Sequence, residues 1–201
     1  MAKIETVERL REIITDYGPR GAAKIRDRIC EQGVAFIERC PFLMLGTLGD
    51  YGLEISQKGG EPGFVKICDN RCLLIPEWVG NHLAIGLQNI LGDPRVALAM
   101  VRPGTDEVLR ISGRATLLDD EEICRSLSAD GKPATLIIRV DVERAAFHCV
   151  RSARRARLWD PESWDKKTRI SFGKIYADAL KQPELLPVLD KLAEESDTKL
   201  Y

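Results

Sequence analysis

The sequence predicts a mainly β fold, a compact barrel with helices at both ends of the chain. Between residues 41 and 158, strand-like apolar runs are separated by Gly, Pro, Asp and Asn turns. Outside that region, apolar residues recur at helical spacing. No repeat or linker divides the 201 residues, so we expect one domain. It would comprise N-terminal helices over 1–40, a barrel over 41–158 and a helical extension over 159–201.

The N-terminal segment predicts two helices. Apolar residues recur every three or four positions over residues 3–17, and Gly18-Pro19 would end this helix. A second helical pattern runs from Ala22 to Arg39. We expect these two helices to cap one end of the barrel.

Seven segments predict strands, because each is rich in apolar and β-branched residues and bounded by turn residues. RVALAMV shows little alternation, which predicts a strand buried on both faces. Asp69-Asn70-Arg71 predicts a hairpin turn between the third and fourth strands. The segments are PFLMLGTLG (41–49), YGLEISQ (51–57), GFVKICD (63–69), CLLIPE (72–77), RVALAMV (95–101), VLRISGRATLL (108–118) and ATLIIRVDVERAAFHCVR (134–151).

Four further helices are predicted among and after the strands. HLAIGLQNIL (82–91) has one apolar face, and the Gly-Asp-Pro that follows would stop it. The acidic turn DDEE (119–122) would begin another. From Ile170 the pattern is helical again, with Pro183 splitting it into two segments.

Composition excludes several classes of function. The formal net charge of -1 gives no basic excess for nucleic-acid binding, and the cluster Arg151, Arg154, Arg155 and Arg157 is more simply a solvated strand end. No apolar run is long enough to cross a bilayer, and the N-terminus lacks the apolar core of a secretory signal. We therefore expect a cytoplasmic protein with no membrane partner. Its six cysteines lack zinc spacing, which predicts reduced thiols and no metal.

Two segments offer basic groups to an anionic ligand. In Ser56-Gln57-Lys58-Gly59-Gly60, a lysine beside paired glycines can present an ammonium and accessible N–H groups to a phosphate. An ordinary surface turn has the same composition. Lys66 alternates with its apolar neighbours, so it holds an anion if its face borders a cleft and is solvated otherwise.

Two more candidates depend on their local structure. Asn81 precedes a predicted helix whose N-terminus attracts anions, although Asn81 more simply caps that helix. Arg110, Ser112 and Arg114 share one strand face, where they can meet a phosphate or pair with neighbouring carboxylates.

The sequence carries no motif that supports hydrolase or nucleotide-phosphate chemistry. G-x-S-x-G, the P-loop and G-x-G-x-x-G are all absent, and His148 and Cys149 would point to opposite faces of a strand. Trp159 and Trp164 can cover an aromatic ring or close over the core. A redox function would therefore need an external cofactor.

Taken in order, ten short motifs resemble those of the pyridoxamine 5'-phosphate oxidase-related flavoproteins. They are IS-x-KG, PGFV, LLIP, GN, NIL, DPRVAL, PG, LRISGRA, HC and RLWDPESW, spanning roughly residues 35 to 165. The resemblance implies a Greek-key split β-barrel that binds FMN at the interface of a homodimer. It also implies an oxidoreductase that passes a hydride from a small molecule to the flavin. The cofactor residues implied are Ser56, Gln57, Lys58, Lys66, Asn81, Arg110 and Arg151, and no residue is assigned a catalytic role.

The sequence departs from this family where phosphate contacts are expected. After Gly80-Asn81, relatives carry an arginine, an acid and a hydroxyl residue, whereas this chain has His82–Gly86. The later HC-x-K-A pattern ends here in Arg151-Ser152. Losing two charge-assisted contacts would weaken cofactor binding by roughly two to four decades. Two alternatives follow: a non-catalytic ligand-binding split-barrel dimer with weakened or lost FMN binding, and a haem-binding split barrel with His82 or His148 as axial ligand.

Overall fold

The computed structural model describes residues 3–165 and 170–197, and it shows the mainly β fold that the sequence predicts. Seven antiparallel strands form one sheet in the order β2-β1-β5-β6-β7-β4-β3, so β2 and β3 are its edges. The strands are β1 Phe42–Gly49, β2 Gly52–Gly59, β3 Lys66–Asp69, β4 Cys72–Glu77, β5 Arg95–Val101, β6 Val108–Leu118 and β7 Leu136–His148.

Helices flank the sheet at both ends of the chain and in two of its connections. The structure confirms the two C-terminal helices that Pro183 separates, and it confirms the helix that follows the acidic turn. At the start of the latter helix, the N-cap residue Asp120 accepts a hydrogen bond from Ile123 N at 2.9 Å. The helices are α1 Val7–Ile13, α2 Gly18–Ala23, α3 Glu31–Ile37, α4 Ile85–Gly92, α5 Glu121–Ser126, α6 Arg151–Arg155, α7 Phe172–Leu180 and α8 Leu186–Asp197. Within the described ranges, none is long and apolar enough to span a membrane.

The N-terminal helices differ from the prediction. Helix α1 ends at Ile13, and Gly18-Pro19 begins α2 instead of ending α1, since proline suits the first turn of a helix. The predicted helix over 22–39 is interrupted at Arg26, which exchanges backbone hydrogen bonds of 3.0 and 2.8 Å with Ala145. Strand β4 pairs with β7 only up to Asp141. Farther along β7, Arg26 provides the hydrogen-bond partners for the backbone groups of Ala145, which β4 does not reach.

Strand β5 alternates, which corrects the prediction that both its faces are buried. Val96, Leu98 and Met100 point into the core, whereas Ala97 is exposed and Ala99 is half-buried on the outward face. The alternation was hidden because alanine counts as apolar on either face. The outward face of the sheet is consequently lined by small residues at this strand.

Three other boundaries differ from the prediction by three residues each. Strand β3 begins at Lys66 rather than residue 63, and β7 ends at His148, so Arg151 begins a helix instead of ending a strand. Helix α4 begins at Ile85, three residues later than predicted. The segment between β4 and α4 is therefore a longer turn than the sequence predicts.

Candidate functional site

A cleft of about 380 Å³ lies where strand β2 approaches the end of β4. It is lined by residues 56–59 of β2 and residues 76–81, which run from the end of β4 into the turn before α4. Four of the seven predicted cofactor residues line this cleft: Ser56, Gln57, Lys58 and Asn81.

A buried ion pair crosses the cleft. Lys58 Nζ lies 2.6 Å from Glu77 Oε2, and each side chain is only 7% exposed. In a flat sheet, β2 and β4 would be about 24 Å apart, five strand spacings of about 4.8 Å. The contact therefore requires the sheet to curl until β2 lies within side-chain reach of the end of β4. It also means that the positive charge of Lys58 is already neutralised.

Asn81 shapes the turn beside this ion pair. Its Nδ2 donates to Glu77 Oε1 at 2.9 Å, and its Oδ1 accepts from Ala84 N at 3.1 Å. Ala84, in the left-handed region at φ 50°, occupies the N-cap position of α4. Asn81 is therefore not the cap of α4, contrary to the structural role predicted for it. It links Glu77 to the start of the helix.

A buried asparagine holds α4 against the β1–β2 hairpin. Asn89 Nδ2 donates to Gly52 O at 3.0 Å and to Thr47 Oγ1 at 3.4 Å, and Asn89 Oδ1 accepts from Tyr51 N at 3.4 Å. All three of these side-chain hydrogen bonds join Asn89 to the β1–β2 hairpin, so the position of α4 relative to β2 is fixed. Helix α4, which follows the turn that lines the cleft, is thereby anchored to the hairpin that contains β2.

A second concavity, which we call the outer groove, lies on the outward face of the sheet and measures about 410 Å³. Its small residues include Ala97 and Ala99, and two arginines, Arg110 and Arg144, contribute guanidinium groups. An apolar surface with a few polar donors suits a flat aromatic ligand. The lining residues are Ile25, Met44, Gly46, Ile55, Ala97, Leu98, Ala99, Arg110, Ile111, Ser112, Arg144 and Ala146.

The cleft and the outer groove meet on strand β2. Ile55 lines the groove, and Gln57 lines the cleft. Residues two apart on a strand point to the same face and are separated by about 7 Å. One elongated ligand can therefore contact both concavities. The predicted shared face of Arg110, Ser112 and Arg114 is also seen on β6, with Arg110 and Ser112 in the groove.

Two predicted cofactor residues lie outside both concavities. Lys66 is exposed on the edge strand β3, and Arg151 is exposed at the first position of α6. Nearby, Arg154 pairs with Asp106 at 2.8 Å and Arg157 pairs with Asp160 at 2.6 Å. Part of the predicted arginine cluster is thus engaged in surface ion pairs.

The predicted tryptophans are also outside the two concavities, whereas a third tryptophan lines the cleft. Trp159 Nε1 donates to Thr105 O at 3.0 Å, and Trp164 Nε1 donates to Leu158 O at 3.1 Å. Trp78 lines the cleft and packs against Phe64, with ring centroids 6.2 Å apart. Aromatic content alone could not distinguish Trp78 from the other two.

Sequence reasoning missed several residues of the site, most importantly Glu77 and Arg144. The sequence did contain a signal for Arg144. In a strand, Arg144 and Ala146 point to the same face, and that face of the sheet also carries Arg110. No local signal identifies Glu77 as the partner of Lys58, because their contact depends on the curl of the whole sheet.

The two histidines do not form part of a metal cluster. Among residues 3–165 and 170–197, no group of three His, Cys, Asp or Glu side chains is placed to hold a metal ion. Partial desolvation lowers the pKa of His148, and the positive charges of Arg110 and Lys24 lower it further. His148 is therefore largely uncharged at neutral pH.

A third cavity of about 510 Å³ lies between α3 and the turn that joins β5 to β6. Arg39 and Arg102 line it together with Phe36 and Phe147, whose rings meet edge to face at 5.4 Å. None of the seven predicted cofactor residues lines this cavity, so we do not assign it to the site.

The cysteines differ strongly in exposure, which gives a testable chemical difference. Cys68 and Cys149 are exposed, whereas Cys72 is buried on β4. Burial, with the neighbouring Cys68 thiol, raises the pKa of Cys72 to about 11. Because the raised pKa keeps the folded-state thiol protonated, its contribution to stability is present below the ordinary pKa and lost as the pH rises towards 11.

We expect iodoacetamide to modify Cys68 and Cys149 but not Cys72 at a pH near the ordinary thiol pKa of about 8.5. Peptide mass spectrometry measures the modification at each site. In urea-unfolded protein, the control, Cys72 should react as readily as the others. Labelling of native Cys72 at the rate of Cys149 would contradict the prediction.

The chain is similar to known proteins both in sequence and in structure. A family model described as pyridoxamine 5'-phosphate oxidase matches residues 29–149. No curated protein matches the sequence significantly. Among solved structures, a HupZ variant from Group A Streptococcus is 17% identical, with 60% of this chain and 99% of that chain covered and a TM-score of 0.49.

Two other similar structures are stress-related proteins. General Stress Protein 26 from Bacillus anthracis is 10% identical, with 57% of this chain and 88% of that chain covered and a TM-score of 0.45. A related protein from Clostridium acetobutylicum, assigned in its description to the pyridoxinephosphate oxidase family, is 15% identical, with 58% and 85% covered and a TM-score of 0.44.

Proposed function

The chain belongs to the pyridoxamine 5'-phosphate oxidase family, and we propose that it is an oxidoreductase that binds FMN and acts on a small organic molecule. The observation that most supports this proposal is the outer groove. It combines an apolar surface of small residues with two guanidinium groups, and it continues along β2 to a polar cleft. A flavin has the same division, with a flat ring system at one end and a polar chain at the other.

The described residues fit such a ligand in two parts. Gly46, Ala97 and Ala99 would lie against the ring, while Arg110 and Arg144 would donate hydrogen bonds to its polar edge. Four residues of the cleft, Ser56, Gln57, Lys58 and Asn81, would contact the chain. The bound flavin would accept the hydride, so the protein need only bind and orient the reactants.

We also propose a homodimer that covers the outer groove and places FMN at the interface. Ile55 is 68% exposed, Leu53 83% and Met44 44%, all on the outward face of β1 and β2. Helix α1 has no buried residue, although it carries several apolar side chains. Exposed apolar patches of this kind mark interaction sites, and twofold dimers are the commonest assembly. Lys66 and Arg151, which lie outside both concavities, would reach a flavin only across this interface.

Net charge and cysteine chemistry support the proposed class of substrate and the proposed cellular compartment. The net charge of -1 offers no support for nucleic acid as a ligand. All six cysteines are free, which supports a reducing compartment such as the cytoplasm. We therefore propose a cytoplasmic protein with a small-molecule substrate.

One observation favours the second candidate, a non-catalytic ligand-binding dimer with weakened or lost FMN binding. The ammonium of Lys58, one of the predicted phosphate contacts, is paired with Glu77. Together with the His82–Gly86 segment, which lacks the family's arginine, this leaves few charges for a phosphate.

An FMN titration followed by flavin fluorescence tests the proposal. We expect Arg110→Met to weaken FMN binding by about 10- to 100-fold, the equivalent of one charge-assisted hydrogen bond of about 1.5–3 kcal/mol. Arg114→Met is the matched control, because Arg114 lies on the same strand and face but outside the groove.

Three outcomes of this titration distinguish the proposed oxidoreductase from the non-catalytic candidate. Yellow protein that loses affinity only in the Arg110 variant supports the proposed function. Equal losses in the two variants would place the ring elsewhere. Colourless protein that takes up no added FMN would overturn the proposal in favour of the non-catalytic candidate.

A further inference from the structure

We propose that the cleft is an electrically neutral site that recognises the uncharged, hydroxyl-bearing chain of a flavin, so that the protein binds riboflavin about as tightly as FMN. This inference rests on the proposed function and specifies which part of the flavin the cleft recognises. It follows from the partners of Lys58 and from the charge of the cleft as a whole.

The lining of the cleft carries one positive and one negative side chain. These are Lys58 and Glu77, whose charged atoms are 2.6 Å apart. A phosphate that approached the ammonium of Lys58 would also approach the carboxylate of Glu77. The attraction and the repulsion would then act over similar distances in the same buried surroundings, so they would largely cancel. The cleft is therefore a poor site for a dianion.

The same residues form a good site for hydroxyl groups. The Lys58 ammonium carries three donor hydrogens, and Glu77 Oε2, although it lies 2.6 Å from Lys58 Nζ, has no hydrogen-bond partner among the described residues and remains an acceptor. Ser56 and Gln57 add groups that both donate and accept. A hydroxyl also donates and accepts, whereas a phosphate dianion only accepts. The mixed set of donors and acceptors thus matches a polyhydroxylated chain.

The pair is not free to rearrange around a phosphate. Both side chains are 7% exposed, and removing the counter-charge from either would leave a buried, uncompensated ion. Asn81 further restrains Glu77, because its Nδ2 donates to Glu77 Oε1 while its Oδ1 is bonded to Ala84 N. Lys58 therefore stays paired with Glu77 when a ligand enters.

The test compares the dissociation constants of riboflavin and FMN by fluorescence titration. For the unmodified protein, we expect the two constants to differ by less than about tenfold, below the effect of one charge-assisted hydrogen bond. Glu77→Gln keeps an acceptor for Asn81 but frees the charge of Lys58, so FMN should gain about tenfold or more over riboflavin. The double variant Lys58→Met/Glu77→Gln, which removes both charges, should return the ratio to its original value.

The outcomes distinguish this inference from the proposed function. If the unmodified protein prefers FMN by more than about a hundredfold, the inference is wrong and the proposed function stands. If neither flavin binds, both fail. Should Glu77→Gln not fold, the double variant still decides, because a selective loss of FMN affinity in it would show that Lys58 holds the phosphate.

Discussion

Replacing Glu77 by alanine is expected to lower the free energy of unfolding by about 3–5 kcal/mol, the usual cost of leaving one partner of a buried ion pair without the other. The remaining Lys58 ammonium would be 7% exposed with its counter-charge removed. Asn81 Nδ2 would lose its acceptor at the same time. Urea unfolding with linear extrapolation measures the change.

The double variant Lys58→Met/Glu77→Gln is the control for this prediction. Because it removes both charges, it leaves no buried ion uncompensated, and we expect a much smaller loss of stability than for Glu77→Ala. A loss of less than about 1 kcal/mol in Glu77→Ala would be typical of a solvent-exposed pair. That result would contradict the burial of this ion pair between β2 and β4.

The sequence predicted Lys58 as a site residue but not what Lys58 does. Lys58 stands beside two glycines, a pattern that local chemistry can interpret. Its partner Glu77 belongs to a strand separated from β2 by four others in the sheet. Only the curl of the sheet brings them to 2.6 Å, and the predicted barrel did not specify which side chains its curl would bring together. The charge of the cleft was therefore beyond sequence reasoning.

The fold was more predictable where alternation is strong. The β6 segment VLRISGRATLL alternates along its length, and its boundaries are those of the predicted strand. RVALAMV was predicted correctly as a strand, but the prediction that both its faces are buried was wrong, because Ala97 and Ala99 are apolar yet face outward. The N-terminal helices were the least predictable, because Arg26 pairs with β7 in preference to continuing a helical pattern. Tertiary pairing overrode local propensity there.

Ile55→Glu is expected to weaken the proposed homodimer by about a hundredfold or more. Full burial of an isoleucine side chain contributes about 1.5–3 kcal/mol, and a buried, unpaired carboxylate adds a further penalty. Ile55 is 68% exposed in the single subunit, and it lines the outer groove on the strand that also forms the cleft. Sedimentation over a concentration series measures the dimer dissociation constant.

Val188→Glu is the matched control for the dimer prediction, because Val188 is a similarly exposed apolar residue of α8 that lines neither the cleft nor the outer groove. It should leave the dimer intact. FMN affinity should fall together with dimerisation in Ile55→Glu, because a flavin at the interface binds the dimer and stabilises it by mass action. A dimer that survives the Ile55 change while losing FMN would place the flavin in the groove but the interface elsewhere. An unmodified protein that remains monomeric at every concentration would refute the dimer and require the groove to hold its ligand alone.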